Sequence, residues 1–174
     1  MRVRTVLYLA GLAVVVTTAA CTGASNVATQ GSAEDETAIR GLADKFVSAF
    51  NANDAPGIAA IVTDDYRSVA ADGTAINGKA GVEKAEGEGM QMRQKMNLSL
   101  TLSASTGFLQ WIDASNATIG GTWSTSGAPD GTPNKGSWIG VAHKAAGGEW
   151  LLSSSLAADY VAPPPAAAPS APAK

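Results

Sequence analysis

The sequence predicts one α+β domain in which helices come first along the chain and the strands of a mostly antiparallel sheet follow. Residues 35–50 have apolar side chains at helical spacing, whereas residues 98–160 consist of strand-like segments separated by turn sequences. Elements segregated in this way are typical of helices packed on one face of a sheet. The span 35–161, about 127 residues, is long enough for a single hydrophobic core.

The first predicted helix, residues 35–50, has one continuous apolar stripe. Its members are Ile39, Leu42, Ala43, Phe46, Val47 and Phe50. Ser32 followed three residues later by Asp35 predicts a capping box at its start. A shorter helix is predicted after Asp54, which can cap it, and Pro56 is tolerated in its first turn.

The remaining segments predict one more helix and the sheet. Short strands at residues 66–70 and 74–76 are separated by the Asp72-Gly73 turn. In a third helix, residues 79–95, the predicted inner stripe is Val82, Ala85, Gly89, Met92 and Met96. Four strands follow, at residues 98–112 with a bulge, 117–125, 135–145 and 149–160, and the last two form a hairpin.

The two ends of the chain differ in composition from the domain. Residues 1–20 begin with Arg2 and Arg4 and contain an apolar run too short to span a bilayer, which is typical of an export signal. We expect residues 21–34 to be a flexible tether and residues 162–174, rich in Pro and Ala, to be disordered.

The sequence around the single cysteine resembles a bacterial lipoprotein signal. Small residues precede Cys21, although Thr18 stands where that family usually has a larger aliphatic residue. The resemblance implies that Cys21 becomes the lipidated first residue of an exported protein held at a membrane of the cell envelope. The alternative is an ordinary secretory cleavage site, with Cys21 incidental.

Charge and composition exclude several function classes. Without residues 1–20, Lys+Arg falls from 12 to 10 against 15 Asp+Glu, a net charge of −5. An acidic chain without a basic cluster is a poor candidate for nucleic-acid binding. One Cys and one His cannot supply a zinc site, and we predict no cofactor.

Residues 45–73, KFVSAFNANDAPGIAAIVTDDYRSVAADG, together with Gly78-Lys79-Ala80-Gly81, resemble the nuclear-transport-factor-2-like family. That family includes ketosteroid isomerases and SnoaL-like cyclases. The resemblance implies a cone-shaped fold, in which three N-terminal helices pack on a curved sheet and a ligand pocket occupies the open end.

The resemblance also argues against isomerase chemistry. The tyrosine, the carboxylate base and the protonated acid of ketosteroid isomerase correspond here to Phe46, Ala70 and Ala142, none of which transfers a proton. Only weak catalytic candidates remain, namely Tyr66, Asp72 and Lys144. His143 follows Ala142, so strand alternation predicts that it lies on the opposite face of the sheet.

The sequence therefore favours a non-catalytic domain that binds a small apolar molecule or a protein partner. The residues predicted to contact the ligand are Phe46, Phe50, Tyr66, Ala70, Met92, Trp138 and Ala142. One alternative is an isomerase, dehydratase or cyclase with displaced catalytic groups. Another is a structural dimerisation module, because apolar sheet faces are suited to forming homodimers.

Overall fold

The computed structural model describes residues 30–70 and 72–160. The predicted signal, Cys21, most of the tether and the Pro/Ala-rich tail lie outside the described residues. The helices and strands are, in chain order, α1 (Ala33–Asn51), α2 (Ala55–Ala60), β1 (Val62–Val69), β2 (Ala75–Asn77), α3 (Gly78–Lys95), β3 (Thr101–Trp111), β4 (Asn116–Ser126), β5 (Lys135–Lys144) and β6 (Trp150–Asp159). In this part of the chain no helix has both the length and the apolar composition needed to cross a bilayer.

The strands form one six-stranded sheet in the order β2-β1-β6-β5-β4-β3. Every pairing is antiparallel except that of β1 with β6, which is parallel. The predicted run of four late strands is therefore present, and the helices pack on the sheet. The α+β prediction is confirmed.

β1 begins earlier than predicted, at Val62. Val62 is buried and pairs with Leu152 of β6, so the parallel pairing with β6 includes the start of β1. Asp64 and Asp65, which the sequence places at the end of a helix, are exposed strand residues instead. Two adjacent acids conceal the alternation of a strand, because one of them occupies a position where an apolar side chain is expected.

α1 is the central helix of the core. Ile39, Leu42 and Ala43 are buried in its stripe, and Phe46 and Phe50 are half-buried at its C-terminal end. The predicted capping box is present, since the Ser32 hydroxyl accepts from the Asp35 N–H at 3.1 Å and the Asp35 carboxylate accepts from the Ser32 N–H at 3.2 Å.

α3 is rotated relative to the prediction. Its buried residues are Val82 and Met90, whereas Met92 is 60% exposed and Met96 is 53% exposed. The half-buried face includes Glu86, and burial raises the pKa of that carboxyl while the nearby Arg93 opposes the increase. The methionines therefore divide between core and surface, and the predicted stripe through Met92 and Met96 is wrong.

Candidate functional site: an apolar cavity between α1 and the sheet

A cavity of about 280 Å³ lies between the C-terminal half of α1 and the inner face of the sheet. This volume is just below the range of about 300–1,000 Å³ that is typical of small-molecule sites. The residues that line it are Leu42, Ala43, Phe46, Phe50, Leu102, Trp123, Thr125, Trp138, Leu152, Ser155, Leu156 and Ala157. None of these side chains is charged or titrates near neutral pH, and only two carry a hydroxyl.

Two reciprocal tryptophan–glycine pairs build the sheet side of the cavity. Trp123 of β4 lies opposite Gly136 of β5, and Trp138 of β5 lies opposite Gly121 of β4. A Cβ atom at Gly136 would come within 2.7 Å of the Trp123 indole nitrogen. The Trp123 indole therefore needs the hydrogen side chain of Gly136, whereas a Cβ atom at Gly121 would meet the backbone of β3. Together the two indoles form an aromatic wall.

The two indole N–H groups differ in their hydrogen bonding. Trp138 Nε1 donates to the Ser105 carbonyl oxygen at 3.2 Å, which fixes the ring across β4 toward β3. Trp123 Nε1 is buried and has no acceptor among the described residues. The aromatic wall therefore contains one satisfied donor and one unsatisfied donor.

Two phenylalanines form the helix side of the cavity. Phe46 and Phe50 are one helical turn apart, and their rings stack with a centroid separation of 6.2 Å. The Arg93 guanidinium of α3 lies 4.4 Å from the centroid of the Phe50 ring, a cation–π contact. This contact connects α3 to the aromatic end of α1.

Tyr66 reaches the cavity only through a neighbour. Its hydroxyl lies 2.6 Å from the Ser155 hydroxyl, and Ser155 lines the cavity. Ser68 Oγ donates to the Ser155 carbonyl oxygen at 2.7 Å, so β1 holds this residue at two points. Tyr66 itself is buried in the core.

The structure places the predicted ligand-binding residues in two groups. Phe46, Phe50 and Trp138 line the cavity, whereas Ala70, Met92 and Ala142 do not. Met92 projects from the exposed side of α3. Ala70 follows the end of β1, where its N–H donates to the Thr74 carbonyl oxygen at 2.8 Å in a turn.

Ala142 lies in the close-packed core. It is 0% exposed and pairs with Ala117 on one side and Leu152 on the other. The prediction that Phe46, Ala70 and Ala142 surround one cavity is therefore wrong for the two alanines. Because Ala70 and Ala142 do not border the cavity, their apolar side chains do not exclude isomerase chemistry there.

The other two weak catalytic candidates have structural partners. Lys144 Nζ lies 2.7 Å from Asp35 Oδ1, which also accepts from Trp150 Nε1 at 2.7 Å. The Lys144 ammonium, with the Trp150 N–H, holds the pKa of the Asp35 carboxyl well below its usual range. Asp72 accepts from the Thr74 N–H at 2.9 Å, which stabilises the turn and lowers the pKa of Asp72.

His143 is placed away from the cavity. Its neighbour Ala142 faces the core, and His143 Nδ1 lies 2.9 Å from the Asn116 side-chain oxygen on the other face of the sheet. Within residues 30–70 and 72–160, no group of three His, Cys, Asp or Glu side chains is arranged to hold a metal ion.

Sequence reasoning missed several residues that line the cavity, including Leu42, Leu102, Trp123, Leu152 and Ser155. Leu102 belongs to a recognisable alternation, which predicts its face of the sheet but not its distance from α1. The opposition of Trp123 with Gly136 and of Trp138 with Gly121 is a signal that could have been found. It requires only the register between β4 and β5.

No protein-family model and no curated protein sequence matches the chain. Solved structures do match it. A domain of unknown function with a cystatin-like fold from Nostoc punctiforme has a TM-score of 0.65 and 18% identity, over 75% of this chain and 80% of that one. An NTF-2-like protein from Shewanella oneidensis has a TM-score of 0.59 and 15% identity, over 72% of this chain and 99% of that one. A ketosteroid isomerase-like protein from Erwinia carotovora has a TM-score of 0.58 and 16% identity, over 75% of this chain and 100% of that one.

These similarities establish the fold class. The chain has the fold shared by nuclear-transport-factor-2-like proteins, also called cystatin-like, and the predicted resemblance is confirmed at that level. Identities of this size carry no information about the ligand or the reaction.

Proposed function

We propose that this domain binds a small, predominantly apolar molecule in the cavity between α1 and the sheet and does not transform it. The observation that carries the proposal is the lining, in which ten of the twelve residues are apolar or aromatic and the other two are Thr125 and Ser155. Burial of apolar ligand surface against such walls contributes about 25 cal/mol per Å² before the costs of association.

The non-catalytic part of the proposal also rests on the lining. General acid–base catalysis needs a titratable group within hydrogen-bond reach of the reacting atom. Tyr66 is the candidate nearest to the cavity, and its hydroxyl already bonds to Ser155. Isomerisation of a β,γ-unsaturated ketone well above the solution rate, abolished by Tyr66→Phe, would instead establish an enzyme with displaced catalytic groups.

Binding can be tested with N-phenyl-1-naphthylamine, a neutral dye whose fluorescence rises in apolar sites. Ala157→Trp places an indole on the cavity side of β6 and should abolish the fluorescence increase. Ala158→Trp is the matched control, because the neighbouring strand position faces the other side of the sheet and should leave binding unchanged. Equal binding by both variants would place the dye elsewhere and contradict the proposal.

A second proposal concerns the outer face of the sheet. Phe108, Ile139 and Leu156 are 43%, 47% and 52% exposed, and Leu156 borders the outer face as well as the cavity. The register aligns them in one row across β3, β4, β5 and β6, with Gly120 between Phe108 and Ile139. Ser105, Thr122 and Ser137 occupy the adjacent row. The apolar row is therefore bordered by polar side chains that carry no charge. We propose that two copies of the chain pair through this face.

Sedimentation equilibrium of the domain tests the pairing. Ile139→Lys places a charge at the centre of the row and should convert a dimer to a monomer, because an unpaired buried charge is costly. Met92→Lys is the control, since Met92 is exposed on α3 and lies outside the sheet. A monomeric wild-type domain, or a dimer that survives Ile139→Lys, would contradict this arrangement.

We further propose that the chain is exported and anchored by lipid on Cys21, on the basis of the sequence around that residue. Stable anchoring takes more than one acyl chain, since a single chain gives only marginal membrane binding. Cys21→Ser should move the protein from the membrane to the soluble fraction, and Thr22→Ser should not. An unchanged membrane fraction for Cys21→Ser would contradict lipidation.

A further inference from the structure

The cavity between α1 and the sheet is open to solvent at the C-terminal end of β6. Ala157 lines the cavity, pairs with Trp138 and is nevertheless exposed. β6 ends at Asp159, and the described part of the chain ends at Tyr160. The chain therefore leaves the domain beside the mouth of the cavity, and the Pro/Ala-rich tail begins within a few residues of it.

The composition of this tail matches the chemistry of the cavity. Residues 162–173 contain five prolines and no charged side chain, and proline is the largest residue among them. The cavity has an uncharged lining, and its volume of about 280 Å³ leaves room for small rings and methyl groups. An uncharged segment can enter such a cavity without burying an unpaired charge.

The aromatic side chains of the cavity are of the kind that bind proline-rich segments. Known grooves for such segments are lined by aromatic rings, and the segment loses little entropy on docking because proline already restricts its conformation. Here Trp123 and Trp138 stand on the sheet side of the cavity, and Phe46 and Phe50 stand on the helix side. Four aromatic side chains therefore surround one small space beside the start of the tail.

The chain is long enough to return from Tyr160 to the cavity. Ala157 and Tyr160 are three residues apart, which is about 10 Å at the spacing of a strand. Residues 161–174 reach up to about 43 Å at the polyproline rise of 3.1 Å per residue. Because the tail belongs to the same chain, its effective concentration at the cavity is in the millimolar range, and weak contacts are enough to hold it there.

We propose that the Pro/Ala-rich tail folds back over the end of β6 and places proline rings in the cavity of its own chain, where it competes with the apolar ligand. This goes beyond the proposed binding function, because the ligand then has to displace a segment of the protein. The apparent affinity for the ligand is reduced by the fraction of molecules in which the cavity is open.

Two full-length variants with five substitutions each test the competition by titration with N-phenyl-1-naphthylamine. The proline variant carries Pro163→Ser, Pro164→Ser, Pro165→Ser, Pro169→Ser and Pro172→Ser. The alanine variant, its control, carries Ala162→Ser, Ala166→Ser, Ala167→Ser, Ala168→Ser and Ala171→Ser. Both variants keep the length of the tail and gain five hydroxyls, but only the proline variant loses the rings. We expect the proline variant to bind the dye roughly threefold more tightly than the wild type, as it would if the tail occupied about two thirds of the cavities. The alanine variant should bind like the wild type.

Methyl NMR of the ligand-free protein gives a readout that does not depend on the dye. Leu42, Leu102 and Leu152 line the cavity, whereas Leu151 does not. The methyl signals of the first three should differ between the wild type and the proline variant, and those of Leu151 should not. The differences should be the same in dilute and concentrated samples, because the tail and the cavity belong to one chain.

Equal dye affinity in the wild type and the proline variant, or unchanged methyl signals, would overturn the inference, and dye binding by both proteins would still support the proposed function. An equal gain in the alanine variant would also overturn it, because the effect would then not depend on the proline rings. Differences that grow with protein concentration would assign the tail to the cavity of a second copy and contradict docking within one chain. If no form binds the dye but the methyl signals differ as expected, the proposed function fails and the docking of the tail stands.

Discussion

At the residue scale, Asp35 joins two parts of the structure. Its carboxylate caps α1 through Ser32 and also receives the Lys144 ammonium and the Trp150 N–H. The start of the helix is thereby attached to the ends of β5 and β6 that adjoin their hairpin. Because these partners favour the ionised form, the pKa of Asp35 lies lower in the folded protein than in the unfolded chain.

A lowered folded pKa stabilises the protein above the unfolded value, 3.8, and this stabilisation is lost as the pH falls through the folded pKa. We therefore expect Asp35→Asn to lower the free energy of unfolding at neutral pH, by a difference that shrinks as the pH falls below about 4. Urea denaturation at several pH values measures this. Asp44→Asn, at an exposed position on the same helix, is the control. A difference that stays constant with pH would contradict the role of the carboxylate.

Glu86 should behave in the opposite way. Burial raises the pKa of Glu86 above 4.5, and the nearby Arg93 opposes the increase. The native protein is therefore most stable where Glu86 is protonated. It loses stability as the pH rises through the pKa that Glu86 has in the folded state. Glu86→Gln should therefore be more stable than the wild type at neutral pH and equal to it at about pH 3. The exposed Glu83→Gln serves as the control, and an equal gain from it would show that burial is not the cause.

Phe46 and Ile39 lie on the same helix stripe but have different surroundings. Ile39 is 0% exposed in the core, and Ile39→Ala should cost about 2–5 kcal/mol. Phe46 is half-buried and already borders the cavity, so Phe46→Ala should cost less, about 1–2 kcal/mol. Denaturant melts of the two variants give the comparison. If Phe46→Ala lowered the free energy of unfolding by more than Ile39→Ala does, the Phe46 ring would belong to the packed core and not to the cavity wall.

At the element scale, the wall formed by β4 and β5 depends on close backbone approach. A Cβ atom at Gly121 would collide with the Ser105 carbonyl oxygen and lie 2.9 Å from the Gly107 nitrogen, neither of which can move independently of the sheet. Gly121→Ala should therefore destabilise the domain, by about 1–3 kcal/mol.

A glycine-to-alanine substitution at Gly41 should stabilise the domain, whereas the same substitution at Gly121 should destabilise it. Nothing lies within 4 Å of a Cβ atom there, and Gly41 is in the interior of α1. Gly41→Ala should stabilise the domain by about 0.5–1 kcal/mol. Thermal melts of Gly121→Ala and Gly41→Ala measure the two changes in stability. Destabilisation of similar size at the two positions would contradict the steric explanation.

The elements differ in how far the sequence could predict them. α1 has a regular stripe of six apolar residues, so its buried face was unambiguous. α3 contains three interior glycines and a cluster of methionines, and more than one face is plausible by periodicity. Packing against β1 and α2 selects the face with Val82 and Met90, which no local pattern reveals.

At the scale of the whole molecule, the two ends of the helix–sheet interface differ. One end is fastened by Asp35, Lys144 and Trp150, and Trp111 adds an edge-to-face contact with Trp150 at 5.6 Å. The other end carries Phe46, Phe50, Trp123 and Trp138 around the cavity. The order of helices and strands predicts this fold, but the cavity's position depends on register and helix rotation. That is why Phe46 and Trp138 lie at the cavity whereas Ala142 lies in the core.

Occupation of the cavity by an apolar ligand can be observed by methyl NMR, in a titration of the leucine-labelled domain with 4-tert-butylcyclohexanone. Leu42, Leu102 and Leu152 line the cavity, whereas Leu109 and Leu151 do not. We expect saturable shifts at the first three methyl pairs and little change at the other two. Shifts confined to Leu109 and Leu151, or none at any leucine, would contradict binding in the cavity.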